Sequence, residues 1–260
     1  MTSPSAPTRL TFSVGTVISR SFSIWIRNII PFTALILIVH VPLVIYIAWY
    51  QSIEEPTIAQ IMTYTYVTQY ATQFLSLIVA GALVYGVFEQ LAGNRPGLGK
   101  CIGVGLARLG PVIVVGVIVG VIAAAPMVVA GLVNEAFILI GAIPALILYL
   151  MFFVAVPSAV VERPGIMGAI RRSVELTRGY KGTLFLILMV VGIIQAIIGG
   201  GVGFAFVTAE GDFEPMFDWV LLGVGVIFAG LQATLSAVTY HDLRVVKEGV
   251  GVEELQQVFA

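Results

Sequence analysis

Long apolar stretches alternate with short polar connections along this chain. A helix that crosses the hydrocarbon core of a membrane needs about 20 apolar residues. Stretches of that kind occupy 29–50, 69–91, 111–133, 136–159, 183–207 and 217–240. The runs are continuous rather than alternating, which favours helices over a barrel, because a lone helix satisfies its own backbone in lipid. The pattern therefore predicts an all-α polytopic membrane protein with six transmembrane helices.

Amphipathic segments precede alternate spans and indicate an internal repeat. Residues 14–27 have apolar side chains on one helical face and basic ones on the other, and residues 166–178 repeat this design. The dipeptide Arg20-Ser21 aligns with Arg172-Ser173. A weaker third copy, with Cys101 on its apolar face, lies before the third span.

Three units then follow one another in a single membrane domain, at about 12–92, 95–160 and 163–241, before a short tail at 242–260. In each unit we expect an interfacial amphipathic helix and a transmembrane hairpin, with the amphipathic helix in the plane of the headgroups. The alternative is that these segments are the solvated ends of long spans. Pro31, Pro111 and Pro164 lie where helix breaks are expected.

Composition supports lipid as the main solvent. The 260 residues are 59% hydrophobic and 10% charged, with a mean hydropathy of +1.04, whereas soluble domains carry about 25% charged residues. The net charge of -1 gives no field that would attract nucleic acid. A single cysteine excludes an intramolecular disulfide. The N-terminus lacks the features of a cleaved signal peptide, so we expect the first span to be retained.

All thirteen basic residues fall on one side of the predicted membrane. They are Arg9, Arg20, Arg27, Arg95, Lys100, Arg108, Arg163, Arg171, Arg172, Arg178, Lys181, Arg244 and Lys247. The opposite connections carry only acidic charges, namely Glu54, Glu55, Glu135, Glu210, Asp212, Glu214 and Asp218. The positive-inside rule makes the basic side cytoplasmic. Both termini are therefore predicted to lie in the cytoplasm.

Two segments resemble a known family. Residues 161–185, VERPGIMGAIRRSVELTRGYKGTLF, and residues 240–255, YHDLRVVKEGVGVEEL, are similar to six-span bacterial proteins grouped with the membrane domain of glycerophosphoryl diester phosphodiesterase. The resemblance implies a multi-pass protein of the bacterial cytoplasmic (inner) membrane. The enzymatic members of that family carry a separate soluble barrel that this sequence does not contain, so the resemblance does not imply phosphodiesterase activity.

Constellations for catalysis or metal binding are absent from the sequence. It has two histidines, His40 and His241, and no CxxC or HExxH motif. His241 is expected at the surface. The glycines at 199–203 lack the Lys-Ser/Thr of a phosphate loop and are typical of close helix packing, within the bundle or between protomers. We therefore predict neither a cofactor nor an enzymatic activity.

Polar residues inside the predicted spans allow two interpretations. They are His40, Glu89, Gln195 and Gln232. In a transporter, His40 would be a proton-sensitive group and the glutamines would contact a substrate. Alternatively, these side chains form hydrogen bonds between helices, and Glu89 pairs with a basic residue at the interface.

Charged residues on the basic side also have two compatible roles. Glu162 and Glu175 are candidates for an ion-pair network that holds the third amphipathic helix. The candidates for lipid headgroup binding are Arg20, Arg27, Arg171, Arg172, Arg178 and Lys181. A basic residue near an anionic leaflet contributes about 1 kcal/mol to membrane binding.

The sequence favours a non-enzymatic membrane protein with a lipid-associated role in membrane organisation, sensing or scaffolding. Its expected partners are anionic lipids and, as a further option, a second copy or another protein, but not nucleic acid. The alternative is a small transporter or channel with a polar path near His40, Gln195 and Gln232.

Overall fold

The computed structural model describes residues 12–95, 97–208 and 214–249. These ranges contain ten α-helices, a 3-10 turn at Glu135–Phe137 and no strand. The helices are α1 (Val14–Arg27), α2 (Ile29–Gln51), α3 (Ile58–Leu91), α4 (Leu98–Ala107), α5 (Leu109–Val133), α6 (Ile138–Phe152), α7 (Ala155–Val161), α8 (Ile166–Thr177), α9 (Lys181–Thr208) and α10 (Glu214–Glu248). Arg9, Glu210, Asp212 and the tail from 250 onward lie outside the described residues.

Six helical stretches in the described ranges are long and apolar enough to cross a membrane, which confirms the predicted all-helical, six-span class. They are Ile29–Gln51, Ile58–Leu91, Leu109–Val133, Glu135–Val161, Lys181–Phe206 and Met216–Glu248. The second begins well before the predicted residue 69. Thr57 and Gln60 form a reciprocal capping box there, which starts the helix in a polar segment that hydropathy alone does not mark.

Short helices α1 and α4 end in the same way before the span that follows each of them. Asn28 separates α1 from α2, with φ -117° and ψ 22°, and Arg108 separates α4 from α5, with φ -105° and ψ 2°. Pro31 and Pro111 lie three residues after these breaks. In the first turn of a helix the missing proline N–H has no intrahelical acceptor to lose.

Helix α8 is bounded by two glycines in the left-handed region. Gly165 precedes it with φ 77°, and Gly179 follows it with φ 91°. Only glycine adopts such angles at little cost. These turns separate α8 from both the fourth and the fifth span.

The fourth span is interrupted at Phe153 and Val154, between α6 and α7. Pro157 cannot donate to the carbonyl of Phe153, which instead accepts a hydrogen bond from Ser236 Oγ at 2.9 Å. The free carbonyl of Met151 accepts from Ser173 Oγ at 2.9 Å. Hydroxyls of α8 and α10 thus replace the backbone bonds that the break removes, as a helix in lipid requires.

The main core forms where α1, α2 and α3 pack on α10. Val17, Leu83, Leu235 and Tyr240 are completely buried there. A second cluster joins α5, α6, α7 and α8. The glycines at 199, 200, 201 and 203 have open space around them, so they make no close packing within the described bundle.

Candidate functional site

The C-terminal end of α10 carries a charged network that fastens it to α8. Arg172 Nε lies 2.8 Å from the carboxylate of Glu162, and the same guanidinium pairs with Glu248. Arg244 pairs with Glu248 at 3.0 Å, and the Tyr240 hydroxyl donates to Glu162 at 2.6 Å. The structure thus brings Glu162 and Arg172 together and adds α10 residues that the sequence did not identify as part of the network.

The environment of Arg172 keeps this side chain charged. Burial disfavours its charge, but hydrogen bonds to Glu162 and Glu248 outweigh that cost and raise the pKa of the guanidinium. Because one guanidinium holds both carboxylates, its removal would leave Arg244 as their remaining cationic partner.

A second ion pair fastens α1 to the same end of α10. Arg20 pairs with Asp242, whose Oδ1 lies 2.9 Å from His241 Nδ1. The expectation that His241 lies at the surface is wrong, because this residue is buried beside the Phe88 ring. The predicted span ends at 240, whereas α10 continues to Glu248. Its last turns pack against α1.

Lys247 joins α10 to the end of α8. Its ammonium donates to the backbone carbonyls of Glu175 and Arg178, the latter at 2.8 Å. These carbonyls lie at the negative end of the helix, where a cation is favoured. Glu175 itself forms no ion pair among the residues described, because Arg178 has left the helix with φ -61° and ψ 123°, so the i,i+3 geometry is lost.

A polar groove of about 410 Å³ runs beside α1. It is lined by Thr16, Ser19, Arg20, Ser23, Ile24, Arg27, Gln90 and Leu91. Arg27 is exposed and has no ion-pair partner in the described ranges. The groove thus combines two guanidinium groups with three hydroxyls and an amide, and α1 carries no acidic residue.

The other basic candidates lie around α8. Arg171 and Arg178 are exposed and Lys181 is half-buried. None of the three takes part in an ion pair within the described part of the chain. Phe12, just before α1, packs edge-on against Tyr180 with ring centroids 5.2 Å apart, so these cations lie at the same end of the bundle as α1.

The intramembrane polar candidates lie apart. His40 is buried and its Nδ1 is 2.8 Å from the carbonyl of Ile36 in its own helix. Gln232 donates to the Tyr149 hydroxyl at 3.1 Å, which links α10 to α6. Gln195 is half-buried on α9. The three side chains therefore do not share a cavity.

Glu89 has polar partners rather than the basic partner that one interpretation expected. Asn94 Nδ2 donates to its carboxylate at 3.0 Å, and the Tyr85 phenol forms a further hydrogen bond with it. Neither contact crosses to a second helix, since Tyr85 lies on α3 and Asn94 follows it.

A cavity of about 280 Å³ with both polar and apolar walls lies between α2, α3 and α10. Its polar lining consists of His40, Tyr64, Thr68, Gln69, Thr72, Gln73, Ser76 and Asp218. Of these, only His40 was singled out from the sequence. The signal was present, because residues 64, 68, 72 and 76 recur at the i,i+4 spacing of one helix face. Residues 64 and 68, however, lie in the segment that was assigned to a connection.

No group of three His, Cys, Asp or Glu side chains that could hold a metal ion exists among the residues described. Comparison of the chain with known protein families, with curated proteins and with solved structures finds no match.

Proposed function

We propose that this protein is an integral membrane protein that binds anionic lipid headgroups at the basic end of its bundle. Its role is the organisation or sensing of the membrane, or the scaffolding of a partner, without catalysis. The groove beside α1 is the observation that carries this proposal.

The chemistry of the groove fits a phosphate. Arg27 has no carboxylate partner among the residues described, and Arg20 uses only part of its guanidinium on Asp242. The hydroxyls of Ser19 and Ser23 face the same space. Guanidinium and hydroxyl donors together form the charge-assisted hydrogen bonds that phosphate oxygens accept.

We further propose that α1, α4 and α8 are three copies of one interfacial helix. The matching breaks at Asn28 and Arg108 support this, as do the Arg-Ser pairs of α1 and α8. In this arrangement all three helices lie at the headgroups of one leaflet.

The proposed leaflet is the cytoplasmic one of a bacterial inner membrane, with both termini inside. The one-sided distribution of lysine and arginine supports this orientation. Kinship with the six-span proteins grouped with the membrane domain of glycerophosphoryl diester phosphodiesterase is part of the proposal. It is supported by the 161–185 segment and by the six apolar helices.

Native mass spectrometry of the full chain, released from vesicles of phosphatidylglycerol and phosphatidylethanolamine, tests the headgroup site. We expect the wild type to retain phosphatidylglycerol preferentially. The double change Ser23→Ala plus Arg27→Gln removes a hydroxyl and a charge from the groove, so it should lose most of that retention.

Arg95→Gln provides the matched control, because it removes an exposed arginine of the predicted basic side that does not line the groove. Its phosphatidylglycerol retention should equal that of the wild type. Equal retention in all three proteins, or equal loss in both variants, would show that general surface charge rather than the groove holds the lipid.

The transport alternative required a polar path through His40, Gln195 and Gln232. Gln232 is engaged with Tyr149 and Gln195 lies on another helix, outside the cavity that His40 lines. The geometry therefore gives no support to that path.

A further inference from the structure

The cavity between α2, α3 and α10 extends into the bundle from the end that carries the 52–57 connection. Along α3 its lining runs from Tyr64 to Ser76, about 18 Å at the helical rise of 1.5 Å per residue. Below it, Leu35, Ile36, Val79 and Leu83 are almost fully buried. The cavity is therefore a closed-ended recess rather than a pore.

Two threonine hydroxyls in the lining of this recess are available as hydrogen-bond acceptors. Thr68 Oγ1 donates to the carbonyl of Tyr64 at 2.7 Å, and Thr72 Oγ1 donates to the carbonyl of Thr68 at 2.7 Å. Each hydroxyl hydrogen is thereby used within α3. What remains of each hydroxyl for a ligand is oxygen lone pairs.

His40 adds another acceptor at the inner end. Its Nδ1 contacts the carbonyl of Ile36, which only accepts, so Nδ1 carries the hydrogen. In the neutral ring Nε2 is then a lone-pair acceptor. It has no hydrogen-bond partner among the residues described, although the side chain is 98% buried and lines the recess.

Asp218 supplies a negative charge at the outer end. Its carboxylate accepts from the Tyr64 hydroxyl at 2.6 Å and from Gln51 Nε2 at 3.4 Å. No lysine or arginine pairs with it in the described ranges. Tyr64 stacks on Tyr50 with ring centroids 3.9 Å apart, and this stacking fixes the ring whose hydroxyl donates to the carboxylate.

We propose that this recess binds a small organic cation that carries N–H donors, such as a primary ammonium compound. Its ammonium group lies at Asp218 and donates to the carboxylate and to the hydroxyl oxygens of Thr68 and Thr72. The volume of about 280 Å³ admits a solute of only a few heavy atoms besides the ammonium group. The apolar side chains of Leu43, Leu222 and Val226 line the same recess and accommodate an alkyl remainder.

Ligand-observed saturation-transfer NMR on the full chain in a neutral detergent tests the proposal, with n-butylammonium as the probe. We expect saturable binding with a dissociation constant on the order of 1 mM. Tetramethylammonium has the charge without N–H donors and n-butanol lacks the charge, so each should bind at least tenfold more weakly.

Asp218→Asn keeps an oxygen that accepts from Tyr64 but removes the charge, and should weaken butylammonium binding at least tenfold. Thr72→Val keeps the shape of the side chain and removes one acceptor, and should weaken binding roughly threefold. Glu135→Gln is the matched control, because it removes one exposed carboxylate remote from the recess. It should bind butylammonium as the wild type does.

The proposal is overturned if butylammonium shows no saturable transfer up to 100-fold above the expected constant. Equal binding of tetramethylammonium would rule out recognition of N–H donors. Equal weakening by Asp218→Asn and Glu135→Gln would show a diffuse surface potential instead of a site. Displacement of butylammonium by equimolar potassium would identify a site for inorganic cations and would also refute it.

Discussion

Helices α1 and α8 carry the same Arg-Ser dipeptide, and both dock on the last turns of α10, yet they are held differently. Arg20 pairs with one carboxylate and its side chain is 35% exposed, whereas Arg172 pairs with two and is 21% exposed. Ser21 and Ser173 are both completely buried. Ser173 donates to a backbone carbonyl, but Ser21 Oγ has no hydrogen-bond partner within the part of the chain that the structure describes.

The difference follows from the helices that each one contacts. Helix α8 packs against the interrupted fourth span, where the carbonyl of Met151 is free to accept. Helix α1 packs against α2, α3, α9 and α10, which run without a break, so their carbonyls are used within the helices. One sequence motif thus has a structural role in α8, while α1 keeps its polar face open toward the groove.

The largest effect should come from the arginine that holds two carboxylates. Arg172→Ala leaves the half-buried Glu162 and the exposed Glu248 with Arg244 as their only cationic partner among the residues described. Because two charge-assisted hydrogen bonds are lost, we expect a loss of about 3 kcal/mol in the free energy of unfolding. Asp242→Ala frees Arg20, which reaches solvent, but it also removes the partner of the buried His241 Nδ1, so its cost should be about 2 kcal/mol. Thermal unfolding in a mild detergent measures both.

Arg171→Ala is the control for this comparison, because Arg171 is next to Arg172 in sequence but is exposed and forms no ion pair among the residues described. It should unfold as the wild type does. A cost for Asp242→Ala equal to that for Arg172→Ala would show that the two helices are fastened equally well.

The third short helix, α4, allows the comparison to be extended to close packing. A Cβ atom at Gly105 would lie 2.7 Å from Ala82 Cβ and 3.0 Å from Ala82 Cα. We therefore expect Gly105→Ala to destabilise the fold by about 2 kcal/mol.

Gly103→Ala is the matched substitution in the same helix, because nothing lies within 4 Å of its Cβ position. It should stabilise the protein by about 0.5 kcal/mol through helix propensity. Effects of the same sign at the two positions would show that α4 does not pack on α3 at Gly105.

The paired serines should respond with opposite signs. Ser173→Ala leaves the carbonyl of Met151 with only the longer bond from Thr177, at 3.2 Å, and should cost about 1 kcal/mol. Ser21→Ala removes a buried hydroxyl without a partner, so it should be neutral or stabilise by up to about 1 kcal/mol. Thermal unfolding in the same mild detergent measures both changes in stability. A loss at both positions would reveal a partner for Ser21.

The smallest expected effect concerns the chemical reactivity of Cys101 in α4. Burial, with a smaller contribution from Glu89, raises the pKa of its thiol to about 11. At pH 8 only about one molecule in a thousand then carries the thiolate, the reactive form, against about one in four for an ordinary cysteine. Labelling by a maleimide should be slow and should rise about tenfold per pH unit below 11. Fast labelling of the native protein at pH 8 would contradict the tight contact between α4 and α3.

The number and type of the spans followed from hydropathy, because long apolar runs in this chain have only one stable form in lipid. The break at Phe153 did not follow, although Pro157 marks it. Other prolines, such as Pro42 and Pro126, lie within unbroken helices. The outcome depends on hydroxyl donors from α8 and α10, which are distant in sequence.

The pairing of charges was predictable only within one segment. Glu162 and Arg172 are ten residues apart, and their proximity follows from a turn before α8. The partners Asp242 and Glu248 belong to the last turns of α10, and their roles emerge only when α10 is known to extend past 240. The recess around His40 was missed because polar residues at the start of α3 lower its hydropathy below that of a typical span.

Helix α10 connects the two regions for which binding is proposed. Asp218, in its second turn, faces the recess, and Asp242, near its other end, holds α1 beside the groove. About 36 Å of uninterrupted helix lies between them. A rod of this length has no internal joint at which a displacement can be absorbed. A tilt of α10 caused by a ligand in the recess would therefore also move the end that carries Asp242 and holds α1 beside the groove.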